Sequence, residues 1–401
     1  MAKTFKFGEN GKWATKTGSS MAYNDQNGNF KPAPFSVTRD SIATRVNKEG
    51  LIEVVGKDKL RIDYTDSTKG VALLEPARTN LITYSEDFSQ SEWTNASYTK
   101  NGIVSYNSNS VSPDGSLGVY QFECTTSGTN SQLGALKPIS SGVSYTNSVY
   151  LRRINGTGAV KLRDVNNTEK DITADLTSDW KRFETTATSS STNGRFYISV
   201  EVSGDIIEVW GCQLEAGSYA TSYIPTSGSA VPRAADVANG AGNSEVFNDS
   251  EGVLFADIAA LANDGTSKRI NISDGSGNNV VRLGYTTTSN QIIGVVAASG
   301  VQAAMTHTVS DTTLFNKLAV KYKENDFALW ISGFEVDTDT LGSTPVGLNT
   351  LEFDLSGVDN FYGKSKRIGV YDAVLTDAEL EALTSYTSFT NMANELNLTI
   401  K

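Results

Sequence analysis

Cysteine is almost missing from this chain. Cys124 and Cys212 are the only two in 401 residues, too few for a disulfide framework or a zinc site, and they read as two buried apolar thiols. Histidine is scarcer still, with His307 alone. It lies in a strand-like alternation, Ala304-Met-Thr-His-Thr-Val, where a histidine on the polar face is the expected reading. With one imidazole and no Gly-x-Ser-x-Gly, hydrolysis by a Ser-His-Asp or Cys-His arrangement has almost nothing to stand on. No apolar run approaches the roughly 18 residues of a membrane helix, so membrane insertion is not expected. The opening Met1-Ala-Lys-Thr-Phe-Lys-Phe-Gly lacks the apolar stretch of a signal peptide, which argues against Sec secretion. Basic residues are outnumbered, 34 Lys and Arg against 45 Asp and Glu, for a net charge of −11. Such a chain gains no counterion release at phosphates, which argues against nucleic acid as a partner.

Short alternating runs take the place of these missing features. Glycine is plentiful and proline is not, 35 against 8, the balance of many turns between short strands. Residues 1–82 are polar and irregular, with brief strand signals at Phe35, Leu51 and Leu60. They hold too few large apolar residues to stand alone and should lie against a neighbouring domain or subunit. Residues 83–236 carry at least six runs that alternate apolar with polar, among them Ser116–Cys124, Tyr145–Arg153, Phe196–Val202 and Ile206–Glu215. Each can bury one face, which points to two antiparallel sheets packed as a jelly-roll sandwich. An extended strap, Thr221–Asp236, leads into a Gly/Ala/Asn linker, Ala238–Ser244. Residues 250–387 form a second strand-rich block, with a hairpin over Phe315–Val336 that turns at Glu324-Asn-Asp. Thr376 and Glu379 make a capping box, and Leu380 and Leu383 stripe the short helix that follows. Residues 388–401 read as a tail that adds an edge strand to a partner or frays. The fold class expected is all-β: two tandem antiparallel β-sandwiches, the first of jelly-roll type, after an irregular N-terminal attachment and oligomerisation segment.

Three phrases in the first part resemble the usual company of phage tail-fibre and virion-surface proteins. The first is Thr38-Arg-Asp-Ser-Ile-Ala-Thr-Arg-Val-Asn with Gly50-Leu-Ile and Arg61-Ile-Asp-Tyr. The second is Leu73-Leu-Glu-Pro-Ala-Arg-Thr-Asn-Leu with Tyr84-Ser-Glu-Asp-Phe and Trp93. The third is Trp210-Gly-Cys-Gln-Leu-Glu-Ala-Gly with Thr221-Ser-Tyr-Ile-Pro-Thr and Arg233-Ala-Ala-Asp. The resemblance implies a carbohydrate-binding-module-like jelly roll carried on a virion appendage, commonly trimeric. The C-terminal block resembles a laminin-G-type, concanavalin-A-like sandwich, through Leu318-Ala-Val-Lys-Tyr to Trp330-Ile-Ser-Gly and through Arg367-Ile-Gly-Val-Tyr-Asp-Ala-Val-Leu-Thr-Asp-Ala-Glu-Leu. Domains of that type commonly bind glycans, sometimes through Ca²⁺.

Sugar recognition needs aromatic faces and polar side chains that fork onto adjacent hydroxyls. By residue type the candidates are Trp93, Tyr219, Tyr223 and Trp330, although sandwich cores use the same residues. Arg39, Arg45, Glu75, Arg78 and Asn80 form the most informative polar set. They read as intramolecular hydrogen bonds with a buried ion pair, or as contacts between domains or subunits. The loop Asp274-Gly-Ser-Gly-Asn-Asn has Tyr285 where a calcium loop needs its twelfth-position Glu, so it reads as a turn. Asp354, Asp359 and Asp372 are the loop carboxylates a lectin-like sandwich would turn to Ca²⁺, but their spacing does not demand the ion, and no other cofactor is expected. The expected protein is therefore a non-catalytic virion-surface structural protein, a tail or head fibre or appendage. Its partners would be other virion proteins, two further copies of itself and host-surface polysaccharide. Two rivals stand beside it: a purely structural head-fibre, decoration or collar protein, and a glycan-depolymerising tailspike enzyme.

Overall fold

The computed structural model describes residues 4–25, 28–65, 67–128, 131–355 and 357–400. The first three residues of the expected N-terminal segment and the last of the expected tail lie outside them. Strands take 48% of the chain and helices 7%, which makes the class all-β. The chain divides into two compact units that do not follow sequence order: one holds residues 1–40, 56–76 and 235–401, the other 41–55 and 77–234.

The second unit is a sandwich. One antiparallel sheet runs Gly102–Val111, Leu117–Cys124, Ile206–Ala216, Ser144–Asn155, Lys181–Thr188, and the other Gln132–Pro138, Asn193–Val200, Val160–Arg163, Glu169–Asp171. Side chains alternate between faces along each strand. Phe196, Ile198 and Val200 meet Val149, Leu151, Ile207 and Val209 in the core, while Arg195 and Tyr197 occupy the opposite phase. Cys124 and Cys212 are both free and buried, as the sequence reading favoured. The outer face of the five-stranded sheet carries Trp210 and Tyr223, covered by Ile52 from the hairpin Ala43–Val46/Ile52–Val55.

The first unit is a larger sandwich. Its main sheet centres on Glu251–Ala260 and Gly363–Tyr371, with Asn316–Lys323, Phe327–Ile331 and Phe334–Asp339 to one side. Five strands from Val301–Thr308 to Thr350–Glu352 make the facing sheet. The N-terminal residues do lie against a neighbouring domain, and they do so as strands of its sheets. Residues 1–82 are not a segment of their own: Thr4–Phe7 pairs with Gly363–Tyr371 over Ile368–Tyr371, and Val71–Leu74 pairs with the same strand over Gly363–Ser365. The cause is aromatic burial. Phe5 and Phe7 are 1% and 2% exposed and pack with Phe35, Phe247 and Phe353. Each contributes about 2–3 kcal/mol on burial, enough to hold a four-residue strand in place. Ser41–Val55 belongs instead to the other unit.

Two further boundaries move. The linker after Asp236 is built in: Val237–Asn239 pairs with Phe35–Thr38, and Ala241 is fully buried. The expected tail forms a helix, Phe389–Glu395, because the Ser388 hydroxyl accepts the Asn391 N–H at 3.0 Å and caps it. The helix expected before it is present at Asp377–Thr384 with its full capping box. Leu380 packs on Val253, Phe255, Ala319, Ala328 and Trp330, so this helix covers part of the outer face of the main sheet.

Candidate functional site

The aromatics singled out by type are mostly core. Trp93 is fully buried, packs on Phe88 and Phe196, and donates its indole N–H to the Tyr84 carbonyl at 2.8 Å. Tyr223 is buried against Trp210, and its hydroxyl donates to Glu86 at 2.6 Å. Trp330 lies under Leu380 and is 6% exposed. None of these three offers a ring face to a sugar, which corrects that expectation. Tyr219 is half-buried and already carries the Arg78 guanidinium 5.4 Å above its ring.

The polar set closes networks inside each unit. In the first unit Arg39 pairs with Asp236 at 2.7 Å, Arg61 pairs with Glu75 at 2.6 Å, and Arg61 also reaches Asp236, all with side chains at most 4% exposed. Asp236 further accepts the Glu75 N–H at 2.8 Å. In the second unit Asn80 donates to the Cys212 and Ile224 carbonyls and accepts the Ile82 and Leu214 N–H groups. Arg45 pairs across its hairpin with Glu53 at 3.0 Å, and Arg78 approaches Glu215 at 3.9 Å. The polar residues of the three phrases thus fix bends and straps within the fold. They are not placed as ligand contacts, and sequence could name them without telling the two roles apart.

The open site of the second unit lies elsewhere, on the outer face of its four-stranded sheet. A half-open groove of about 900 Å³ belongs to the first unit, but one of about 620 Å³ lies here, lined by Tyr98, Lys100, Gln132, Arg163, Asn166, Asn167, Asn193, Arg195 and Tyr197 among others. Register builds it. Tyr197 stands opposite Gly134 on one neighbouring strand and Arg163 on the other, and Arg195 stands opposite Leu136. Gly134 is required by close approach, because a Cβ there would meet Tyr197 Cδ1 at 1.9 Å. The tyrosine ring therefore lies across the glycine, tilted 31° to Tyr98 at a centroid distance of 6.5 Å. Gln132 pins the Tyr98 loop by donating to the Tyr98 carbonyl at 3.0 Å, and Thr99 accepts the Gly134 N–H at 3.1 Å.

Within this groove some polar groups are held and others are open. Arg163, 8% exposed, is fixed by Asn167 at 3.2 Å and Glu169 at 2.8 Å. Tyr197 is only 7% exposed, yet its hydroxyl has no partner among the described residues. Burial raises the Tyr197 phenol above its ordinary value, and Tyr98 adds to this while Arg195 and Arg163 oppose it. The side chains of Lys100, Asn193 and Arg195 are exposed and likewise unpartnered among the described residues. The sequence reading missed all of them. The available signal was the phase of one strand, in which Phe196 and Ile198 mark the core side and so put Arg195 and Tyr197 together on the other.

No family model matches the chain, and no curated protein matches it. Among solved structures, the CBM40 of the Ruminococcus gnavus IT-sialidase is similar at 17% identity, covering 37% of this chain and 94% of that one, with a TM-score of 0.31. A CBM4 structure is similar at 14% identity over 33% of this chain and 92% of its own, TM-score 0.23. The CBM22 tandem of Paenibacillus barcinonensis Xyn10C is similar at 10% identity over 73% and 98%, TM-score 0.24. The neighbours include carbohydrate-binding modules, and likenesses at these scores carry no argument about what this chain binds.

Two cavities lie in the first unit. In the larger one Asp249 is engaged by the Gly347 and Leu348 N–H groups at 2.7 and 2.9 Å. The other, about 390 Å³, is lined by Asp257, Lys317, Lys366, Arg367 and Glu395. Asp257 lies in register between Lys317 and Arg367, and a bulge there leaves Lys366 as the extra residue. Of the loop carboxylates, Asp354 accepts from Asn239 at 2.6 Å and from the Gly357 N–H at 2.9 Å. Among the described residues no group of three or more His, Cys, Asp or Glu converges as a metal site would require. His307 is exposed on its strand.

Proposed function

We propose that this protein is a non-catalytic virion-surface component, a tail or head fibre or appendage, that attaches to host-surface polysaccharide through the groove on the four-stranded sheet. One observation carries the carbohydrate part: the groove sets the half-buried ring of Tyr98 beside the open hydrogen-bonding groups of Tyr197, Asn193, Arg195 and Lys100 over one sheet face. A pyranose offers both C–H faces for a ring and adjacent hydroxyls for forked polar groups, so the two sets are complementary. No carboxylate lines this groove among the described residues, and glycoside cleavage calls for a pair of them. That favours holding a sugar here over cutting it.

The virion part rests on the three phrases between residues 38 and 236. A single groove of this kind binds weakly, and three copies per fibre with several fibres per particle would raise the effective concentration without a stronger site. The test is retention of the intact chain on an array of bacterial surface polysaccharides and on host cells, with antibody labelling of purified particles. Retention that falls in an Arg195→Ala/Tyr197→Phe variant, together with labelled particles, is the expected result. Labelled particles with a blank array and no cell retention would leave the purely structural role. Release of reducing ends from a retained polysaccharide would establish the depolymerase instead.

A further inference from the structure

The charge in this groove is one-sided. Lys100, Arg163 and Arg195 line it and no Asp or Glu does, among the described residues, in a chain whose net charge is −11. Glu169 offsets part of the Arg163 charge. Nothing among the described residues does so for Lys100 or Arg195. Arg163 and Arg195 flank the Tyr197 phenol and repel each other, and a neutral sugar leaves that repulsion in place. Its hydroxyls are served by Asn193 and Tyr197 without any cation. An anion removes the repulsion and gains charge-assisted hydrogen bonds, which are the stronger kind, and the planar guanidinium of Arg195 can meet two oxygens of one carboxylate or sulfate at once.

We infer that the groove takes an acidic saccharide, its carboxylate or sulfate held by Arg195 while neighbouring hydroxyls meet Tyr197 and Asn193, with Lys100 adding positive charge further along the groove. The inference rests on the glycan reading above and names the ligand class for the same site. Arg163 acts as a positioning residue. It is nearly buried, its guanidinium is fixed by Asn167 and Glu169, and it stands beside Tyr197 in register.

Calorimetric titration of the full chain tests this with four probes: oligogalacturonate, its carboxyl-reduced neutral counterpart, a sulfated galactan oligosaccharide, and polyglutamate. The expected result is binding of oligogalacturonate or the sulfated galactan that weakens as salt is added, with the neutral counterpart at least about tenfold weaker. The two acidic probes separate carboxylate from sulfate as the preferred anion. Arg195→Gln should lose about tenfold in affinity. Arg195→Lys should keep the salt dependence but recover only part of the affinity, since the point charge stays and the fork is lost. Equal binding of the carboxyl-reduced sugar overturns the inference and leaves the glycan reading standing. Equal binding of polyglutamate overturns it by showing a general anion patch. Silence with every probe overturns it as well, and retention on the array and on cells then decides the wider reading separately.

Discussion

The two sandwiches are built by the same alternation and differ in what becomes of their polar groups. In the first unit charge is taken inside and paired. Arg39, Arg61, Glu75 and Asp236 close a network with almost no exposed surface, and part of the main sheet's outer face is covered by the helix Asp377–Thr384. In the second unit the four-stranded sheet keeps its outer face open, with Tyr197, Asn193, Arg195 and Lys100 lacking partners among the described residues. Sandwich architecture alone says little about binding. What separates a structural face from a recognising one is whether its polar groups are already satisfied by the protein itself. Substitutions in the paired set should therefore move stability, and substitutions in the open set should move binding.

The largest effect is expected at Asp236. Asp236→Ala strips a partner from both Arg39 and Arg61 while leaving two guanidinium groups buried, a change worth about 3–5 kcal/mol. Urea denaturation should show it as a lower midpoint with an unchanged slope. A loss below about 1 kcal/mol would mean that the network is not the tie described here.

Asp257 should act in the opposite direction. Burial pushes its carboxyl from 3.8 up to about 6, against the pull of Lys366, Lys317 and Arg367 and with the help of Glu395, and its Oδ1 has no hydrogen-bond partner among the described residues. A raised carboxyl pKa means that the folded state holds the proton more tightly than the unfolded chain. Its contribution is thus most favourable below about pH 4 and is lost as pH rises through 6. The loss amounts to roughly 3 kcal/mol from this group alone. Asp257→Asn should flatten that part of the pH–stability curve and raise the urea midpoint at neutral pH. An unchanged curve would show that the carboxylate finds a partner after all.

How far the sequence alone could reach follows the same division. Period two exposed the strands and the hairpin, and the capping box exposed the helix after Thr376, because each of those signals is local. That the N-terminal segment needs a neighbour was legible, but not which one, because Thr4–Phe7 gains its stability from a strand more than 350 residues away, and no short window contains that partner. Trp330 looked like a sugar contact because composition does not say which phase of an alternation faces in; Trp93, on a single helical turn, and Tyr223, on an extended strap, have no periodicity that would mark them as buried. The groove went unnoticed for a related reason. Arg195 and Tyr197 sit on one strand, but Arg163, Gly134 and Lys100 join them only through register, and a glycine chosen so that a ring can lie across it leaves no mark in a single sequence.

Gly134 gives the next smaller effect. Gly134→Ala puts a Cβ 1.9 Å from Tyr197 Cδ1, so the ring has to leave its place, at a cost of about 1–3 kcal/mol. Affinity for any groove ligand should fall with it, because the hydroxyl and the tilt against Tyr98 move together. If stability drops while affinity holds, the tyrosine pair is not part of the binding surface.

Arg195 should separate the two kinds of residue most cleanly, with the smallest effect on folding. Its side chain is exposed and has no partner among the described residues, so Arg195→Ala breaks nothing the fold uses and should leave the urea midpoint unchanged. Every consequence should appear in ligand retention and in its salt dependence, the reverse of Asp236→Ala, which should unfold more readily yet bind normally while folded. A pair of variants that instead lost stability and retention together would merge the two classes, and the open face would then be one more structural surface of the fold.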